Sequence, residues 1–188
     1  MVSWIGYDSP WYHEEVLQRH ANEGAQALAS FLDGIAVQRE GNPIERLVAM
    51  GHSYGSNVVA EALQITMADV DAFIAIGSAG LQVNTTAEDL GVSEIYATEA
   101  DADDLAGIGR TVHFRWRHED GGHWFYESRV DPGELDGVHT FTSEETSSGR
   151  GVTSHSLHDP EKDDMVGYLH PESSAVEGLR SIMRGELP

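Results

Sequence analysis

Apolar positions recur along this chain in two rhythms. Leu17, Ala21, Ala25, Leu28 and Leu32 follow one another every three or four residues. That spacing predicts a long amphipathic helix, with Ser9 and Pro10 as its starting signal and Gly34 as its stop. Elsewhere the apolar residues come in short unbroken runs. Leu47-Val48-Ala49-Met50 reads as a strand covered on both faces, Phe73-Ile74-Ala75-Ile76 as the next buried strand, and Glu94-Ile95-Tyr96-Ala97 as a further one. Val2-Ser3-Trp4-Ile5 reads as an earlier strand. A further one falls at 112–116 or at 138–141. Val58, Val59, Ala62 and Leu63 mark a helix after the first run. A last helix spans about 174–183, with Ser174 and Glu177 in a capping-box pattern and Gly185 beyond.

Strands alternating with helices predict an α/β fold with a mostly parallel sheet. The expected architecture is a three-layer sandwich around about five or six strands, or a minimal or N-terminally shortened version of it. Residues 1–188 read as a single domain. From 117 to 169 the helical rhythm fades into Gly, His, Asp, Ser and Thr. Loop-rich insertions around 117–137 and 143–169 are expected there, and such loops tend to carry function. The apolar start of the chain suggests a segment of a longer protein.

Charge narrows the partners. Acidic residues number 32 against 11 basic ones, a net charge of −21, and Lys162 is the single lysine. Nucleic acid and anionic lipid surfaces share that sign and are expected to be repelled. A neutral, cationic or apolar substrate fits better, and an acidic, lysine-poor surface suits high salt. Hydrophobic residues make up 40% of the chain, which separates it from charged disordered sequences. No cysteine is present, so disulfides and thiolate metal sites are excluded. Asp8, His13, Glu14 and Glu15 stand where a signal peptide needs an apolar core. The longest uncharged run, 72–87, is too short and polar to span a membrane. A soluble protein is expected, cytoplasmic or part of a longer secreted chain.

The candidate chemistry begins at Gly51-His52-Ser53-Tyr54-Gly55, a G-x-S-x-G sequence. It lies between an apolar strand and a helix, the context a nucleophile elbow requires. Side chains at Gly51 and Gly55 are expected to collide with the crossing backbone. The helix N-terminus behind Ser53 offers amides and a positive dipole end to a developing oxyanion. The backbone N–H of Tyr54, with that of Tyr7 from the early loop, is the expected donor pair. A serine hydroxyl needs a base, oriented by an acid, and the usual chain order here is Ser, acid, His. The third strand runs into Thr98-Glu99-Ala100-Asp101-Ala102-Asp103-Asp104, so several acids are available. His155 lies in a polar loop after the 138–141 segment, and His158 is three residues on. His139 and His170 fit the geometry less well. Trp124, Phe125 and Tyr126 are candidate substrate contacts.

Trp4-Ile5-Gly6-Tyr7-Asp8-Ser9-Pro10, Gly51-His52-Ser53-Tyr54-Gly55-Ser56 and Gly77-Ser78-Ala79-Gly80 together resemble an actinobacterial α/β-hydrolase family, the domain of unknown function DUF1023. That family carries a W-x-G-Y-x-x-P loop, a G-H-S-Y-G-S elbow and a G-S-x-G turn in this order. The resemblance implies an acid at Asp103, with Asp101 and Asp104 as neighbours that also fit, and a histidine at His155. It also matches Asp131-Pro132 to a D-P before the last strand. Ser154 replaces a glycine of the family's G-H-x-x-Y segment, and Tyr168 lies far from the histidine, which implies an insertion.

The implied activity is hydrolysis of an ester-like acyl bond through an acyl-enzyme, with no cofactor and a small-molecule or lipid-like ester as substrate. Two other classes compete. His118, Asp120 and His123, or His155, His158 and Asp159, could be composed into a metal site, but neither set has an established zinc spacing. The fold could also serve as a non-catalytic binding or assembly module.

Overall fold

The structure is a computed structural model that describes residues 2–6, 19–42, 44–110, 113–115, 124–126, 129–160 and 164–188. Helix α1 spans Arg19–Gln38. Strand β1 (Val48–His52) leads through one residue into α2 (Tyr54–Leu63). Strands β2 (Ala72–Ile76) and β3 (Glu94–Thr98) follow, then the short helix α3 (Asp104–Arg110). Strands β4 (His113–Arg115) and β5 (Trp124–Tyr126) form a separate antiparallel pair. Strand β6 (His139–Thr140) and helix α4 (Ser174–Met183) complete the described elements.

The main sheet is parallel, in the order β1-β2-β3-β6. It therefore has four strands among the described residues, where the sequence pattern suggests five or six. Of the two candidate late strands, the one at 138–141 joins the sheet and the one at 112–116 does not. The alternation of β2 explains the layers. Phe73 and Ala75 face a core shared with Ala21, Ala25, Leu28 and Leu32 of α1 and with α2. Ala72, Ile74 and Ile76 face a second core with Tyr168 and with Ala175, Leu179 and Ile182 of α4. A continuous apolar run is what a strand needs when both of its faces are covered.

Three local expectations are corrected. Residues 2–6 form no strand: Val2 and Ile5 are 67% and 91% exposed, and only Trp4 packs against the core. Apolar alternation alone does not make a strand without a ladder partner for its backbone. Helix α1 runs through Gly34 to Gln38. An interior glycine costs about 1 kcal/mol but does not end a helix. Here Asp33 pins the helix to the turn that follows α2, accepting hydrogen bonds from the Thr66 hydroxyl and the Met67 and Ala68 amides at 2.6, 2.8 and 3.1 Å. Helix α4 is capped one residue earlier than its pattern suggests: Ser173 accepts from the Val176 amide at 3.1 Å. Leu17, the Ser9-Pro10 start signal and Lys162 lie outside the described residues.

Among the described residues, no helix is long and apolar enough to cross a membrane.

Candidate functional site

Ser53 occupies the single residue between β1 and α2, with φ 54° and ψ −130°. A positive φ in a non-glycine residue costs on the order of 1–3 kcal/mol and persists only where its surroundings impose it. They do so here. The Ser53 amide donates to the Ile76 carbonyl at 3.0 Å, tying the turn to the end of β2. The Ser56 hydroxyl donates to the Ser53 carbonyl and lies 2.6 Å from the Ser78 hydroxyl, which in turn accepts from the Gly80 amide at 3.1 Å. The elbow and the Gly77-Ser78-Ala79-Gly80 turn are thus one bonded unit. Gly51 is required by contact, since a Cβ there would sit 2.5 Å from the Ser56 Cα. The expectation for Gly55 is corrected: a Cβ there would meet nothing within 4 Å, because Gly55 lies in α2 with its missing side chain directed into open space.

Three side chains from distant parts of the chain meet in one row. Ser53 Oγ lies 2.7 Å from His155 Nε2, and His155 Nδ1 lies 2.8 and 2.9 Å from the two Asp103 oxygens. Among the neighbouring aspartates, Asp103 alone is buried, at 3% exposure, while Asp101 and Asp104 face solvent. Asp101 instead gives its amide to Glu144, and Asp104 opens α3. His158 is exposed. Burial by itself pushes the Asp103 pKa up. The hydrogen bonds from His155, Tyr168 and the Ala106 amide outweigh it and hold the carboxyl below its ordinary value. An ionised Asp103 accepts a hydrogen bond from His155 Nδ1–H, which leaves Nε2 as acceptor towards the Ser53 hydroxyl.

Two groups at this row escaped the sequence reading. His52 donates from Nε2 to the His155 carbonyl at 2.6 Å, and the two rings stand 4.8 Å apart. Burial, then the neighbouring His155, lowers its pKa to about 4, so it is neutral near pH 7. Tyr168 donates its hydroxyl to Asp103 Oδ2 at 2.8 Å. The family segment G-H-x-x-Y was the available signal for this tyrosine. In the sequence, Tyr168 is legible only as lying far from the histidine of that segment, and no role attaches to it there.

The histidine loop is held by a neighbouring stretch rather than by a regular element. Thr153 and Val166 exchange backbone and side-chain bonds at 3.0 and 2.8 Å, and the Tyr168 and Leu169 amides donate to the Ser156 and Leu157 carbonyls at 3.0 and 2.7 Å. His155 and Tyr168 therefore sit on two segments bonded to each other. Tyr54, the first residue of α2, places its amide in the helix's first turn. Tyr7, the other expected oxyanion donor, lies outside the described residues. Trp124, Phe125 and Tyr126 form β5, and their side chains lie outside the described set.

A cleft of about 940 Å³ opens beside Asp103, walled by Ser78, Thr98, Asp104, Pro132 and Phe141 among others. Asp131 caps the turn Pro132–Glu134 on its rim. Among the described residues, no group of three or more His, Asp or Glu side chains is placed to hold a metal ion. His118, Asp120 and His123 lie outside them.

A family model described as alpha/beta hydrolase matches residues 1–111. That is more than half of the chain, and the chain belongs to the alpha/beta hydrolase family. The matched stretch contains Ser53 and Asp103, whereas His155 and Tyr168 come from beyond it. No curated protein and no solved structure matches the chain.

Proposed function

We propose that the protein is a serine hydrolase that cleaves an ester-like acyl bond. Ser53 is the nucleophile, His155 the general base and then general acid, and Asp103 the carboxylate that orients the imidazole. The observation that carries this reading is the unbroken hydrogen-bonded row from Ser53 Oγ through His155 to Asp103, at 2.7 and 2.8 Å. Separations of this size are those at which a positioned base can accept the proton of an attacking hydroxyl.

His155 Nε2 takes the Ser53 proton as the oxygen attacks the acyl carbonyl. The oxyanion faces the N-terminus of α2, where the Tyr54 amide supplies one donor; the Tyr7 amide, from outside the described residues, is assigned as the second. His155 then hands its proton to the leaving alcohol. Water, activated by the same imidazole, releases the acyl group and regenerates Ser53. No cofactor enters any step. The substrate is a small-molecule or lipid-like ester, neutral, cationic or apolar, since the net charge of −21 disfavours anionic ones.

Residues 1–188 form one α/β-hydrolase-like domain with loop-rich insertions at 117–137 and 143–169, of the DUF1023 type. The G-H-S-Y-G-S elbow and the G-S-x-G turn, bonded together through Ser56 and Ser78, support that assignment.

A fluorophosphonate probe tests the reading. Intact-mass analysis is expected to show one adduct on the folded protein and none on Ser53→Ala. Hydrolysis of a p-nitrophenyl ester by that variant is expected to fall by about 10⁴-fold or more. An unlabelled wild-type Ser53 would reject the proposal in favour of a non-catalytic module.

A further inference from the structure

We propose that Tyr168 is a positioning residue of this site, a fourth link that fixes the Asp103 carboxylate and sets how strongly it acts on His155. The inference rests on the serine-hydrolase reading and adds a residue to it.

Proton bookkeeping fixes the direction of the contact. Tyr168 is fully buried, at 0% exposure. Its hydroxyl oxygen accepts the Ala100 amide at 3.0 Å. That amide can only donate, so the single phenolic proton is left for Asp103 Oδ2, 2.8 Å away. Burial above all raises the Tyr168 pKa, with Asp103 adding to it, so the group stays a donor. A buried hydroxyl without partners is destabilising, and phenylalanine would fill this core as well. The oxygen has a specific partner on each side instead.

The surrounding chain makes room for this pair. Gly77 follows β2 with φ 48°, and a Cβ there would stand 2.8 Å from Asp103 Oδ2 and 3.1 Å from the Tyr168 oxygen. On the other carboxylate oxygen, the Ala106 amide donates at 3.2 Å. With Tyr168 on one oxygen, Ala106 on the other and His155 facing both, the carboxylate cannot rotate without losing a bond. The 153–157 and 166–169 segments are bonded together, so the base and the residue that anchors its acid share one support. The titratable groups facing the pair are His52 from the end of β1, His155, and Glu99 after β3, with Asp101 and Asp104 flanking on the solvent side.

The test is the second-order rate of fluorophosphonate labelling of Ser53 as a function of pH. In Tyr168→Phe the carboxylate loses one donor and presents more negative charge to the imidazolium. The acid limb is then expected to move to higher pH by about half a unit. The plateau rate is expected to fall about tenfold through looser orientation. Difluorotyrosine placed at 168 is a stronger donor of nearly the same volume, and it is expected to move the limb to lower pH. This second arm stands if the phenylalanine variant does not fold. A tyrosine that merely fills the core would change melting temperature and leave the limb in place. Labelled wild type with a limb unmoved by the folded variants overturns the role of Tyr168 alone. Wild type unlabelled at every pH overturns this role together with the hydrolase reading.

Discussion

The strand-and-helix portion at 48–98 and the loop portion at 129–173 contribute equally to the site but hold their residues by different means. In the first, backbone groups pair along parallel ladders, and apolar side chains fill two cores. Ser53 is fixed there by the crossing of a strand and a helix. In the second, order comes from isolated backbone bonds between loop segments and from side chains bonded to backbone. Thr146 receives the Ser148 and Gly149 amides, Thr153 that of Val166, and Asp159 that of Gly167, at 3.3, 2.8, 2.8 and 3.0 Å. His155 and Tyr168 are fixed by both, the Tyr168 amide on the Ser156 carbonyl at 3.0 Å and the Thr153 side chain on the Val166 amide at 2.8 Å. The contrast teaches that a loop can be as determinate as a sheet when each turn has its own polar partner. It also locates where stability and activity should come apart.

The largest expected effect on stability lies in the ladder region. Phe73 of β2 is fully buried in the core shared with α1 and α2. Phe73→Ala is expected to cost about 3–5 kcal/mol in denaturant unfolding, because the neighbours close only part of the cavity. Below its melting temperature, the folded variant should still label at Ser53 at nearly the wild-type rate. A large loss of labelling in fully folded protein would show that the two portions are not separable in this way.

His52 joins the portions, and its effect is next in size. Its pKa is lowered from 6.5 to about 4 in the fold, by burial first. The unfolded chain therefore binds more protons than the folded one between those values. Stability from this group is complete above about pH 6.5 and is lost as pH falls toward 4, by up to about 3 kcal/mol. His52→Gln keeps an N–H directed at the His155 carbonyl but does not titrate. Unfolding free energies at pH 7.5 and pH 4.5 are expected to differ less in this variant than in wild type. An identical pH dependence in the two proteins would mean that another group governs it.

How far each portion was legible in the sequence follows from the same contrast. Continuous apolar runs mark strands covered on two faces, so β1, β2 and β3 could be read within a residue or two. Ser53 follows from glycine spacing between a strand and a helix, a local signal. Asp103 and His155 could be named, but nothing local separated Asp103 from Asp101 and Asp104. What separates them is burial against Tyr168 and His155, 65 and 52 residues away. The roles of Tyr168 and His52 were not legible because they depend on long-range polar pairing, which leaves no periodicity. The reading of 2–5 as a strand and of Gly34 as a stop failed for the opposite reason. Local propensity was legible, and the tertiary partner that decides it was not.

The smallest effect concerns the joint between α4 and the loop portion, where two adjacent serines differ. Ser173 accepts the Val176 amide at 3.1 Å and donates to the Tyr168 carbonyl at 3.0 Å, so it caps the helix and anchors the tyrosine segment at once. Ser174, the cap suggested by the sequence pattern, donates only to the Arg150 carbonyl at 3.3 Å. Ser173→Ala is expected to cost about 1 kcal/mol, as for other lost N-caps. For a chain of this length that lowers the melting temperature by about 2–4 °C. Ser174→Ala should cost less than half as much. Labelling at Ser53 should slow slightly in Ser173→Ala and not at all in Ser174→Ala, because only the first loosens the segment that carries Tyr168. Equal melting temperatures for the two variants would mean that the loop holds its shape without the cap, through the Thr153 and Ser156 bonds alone.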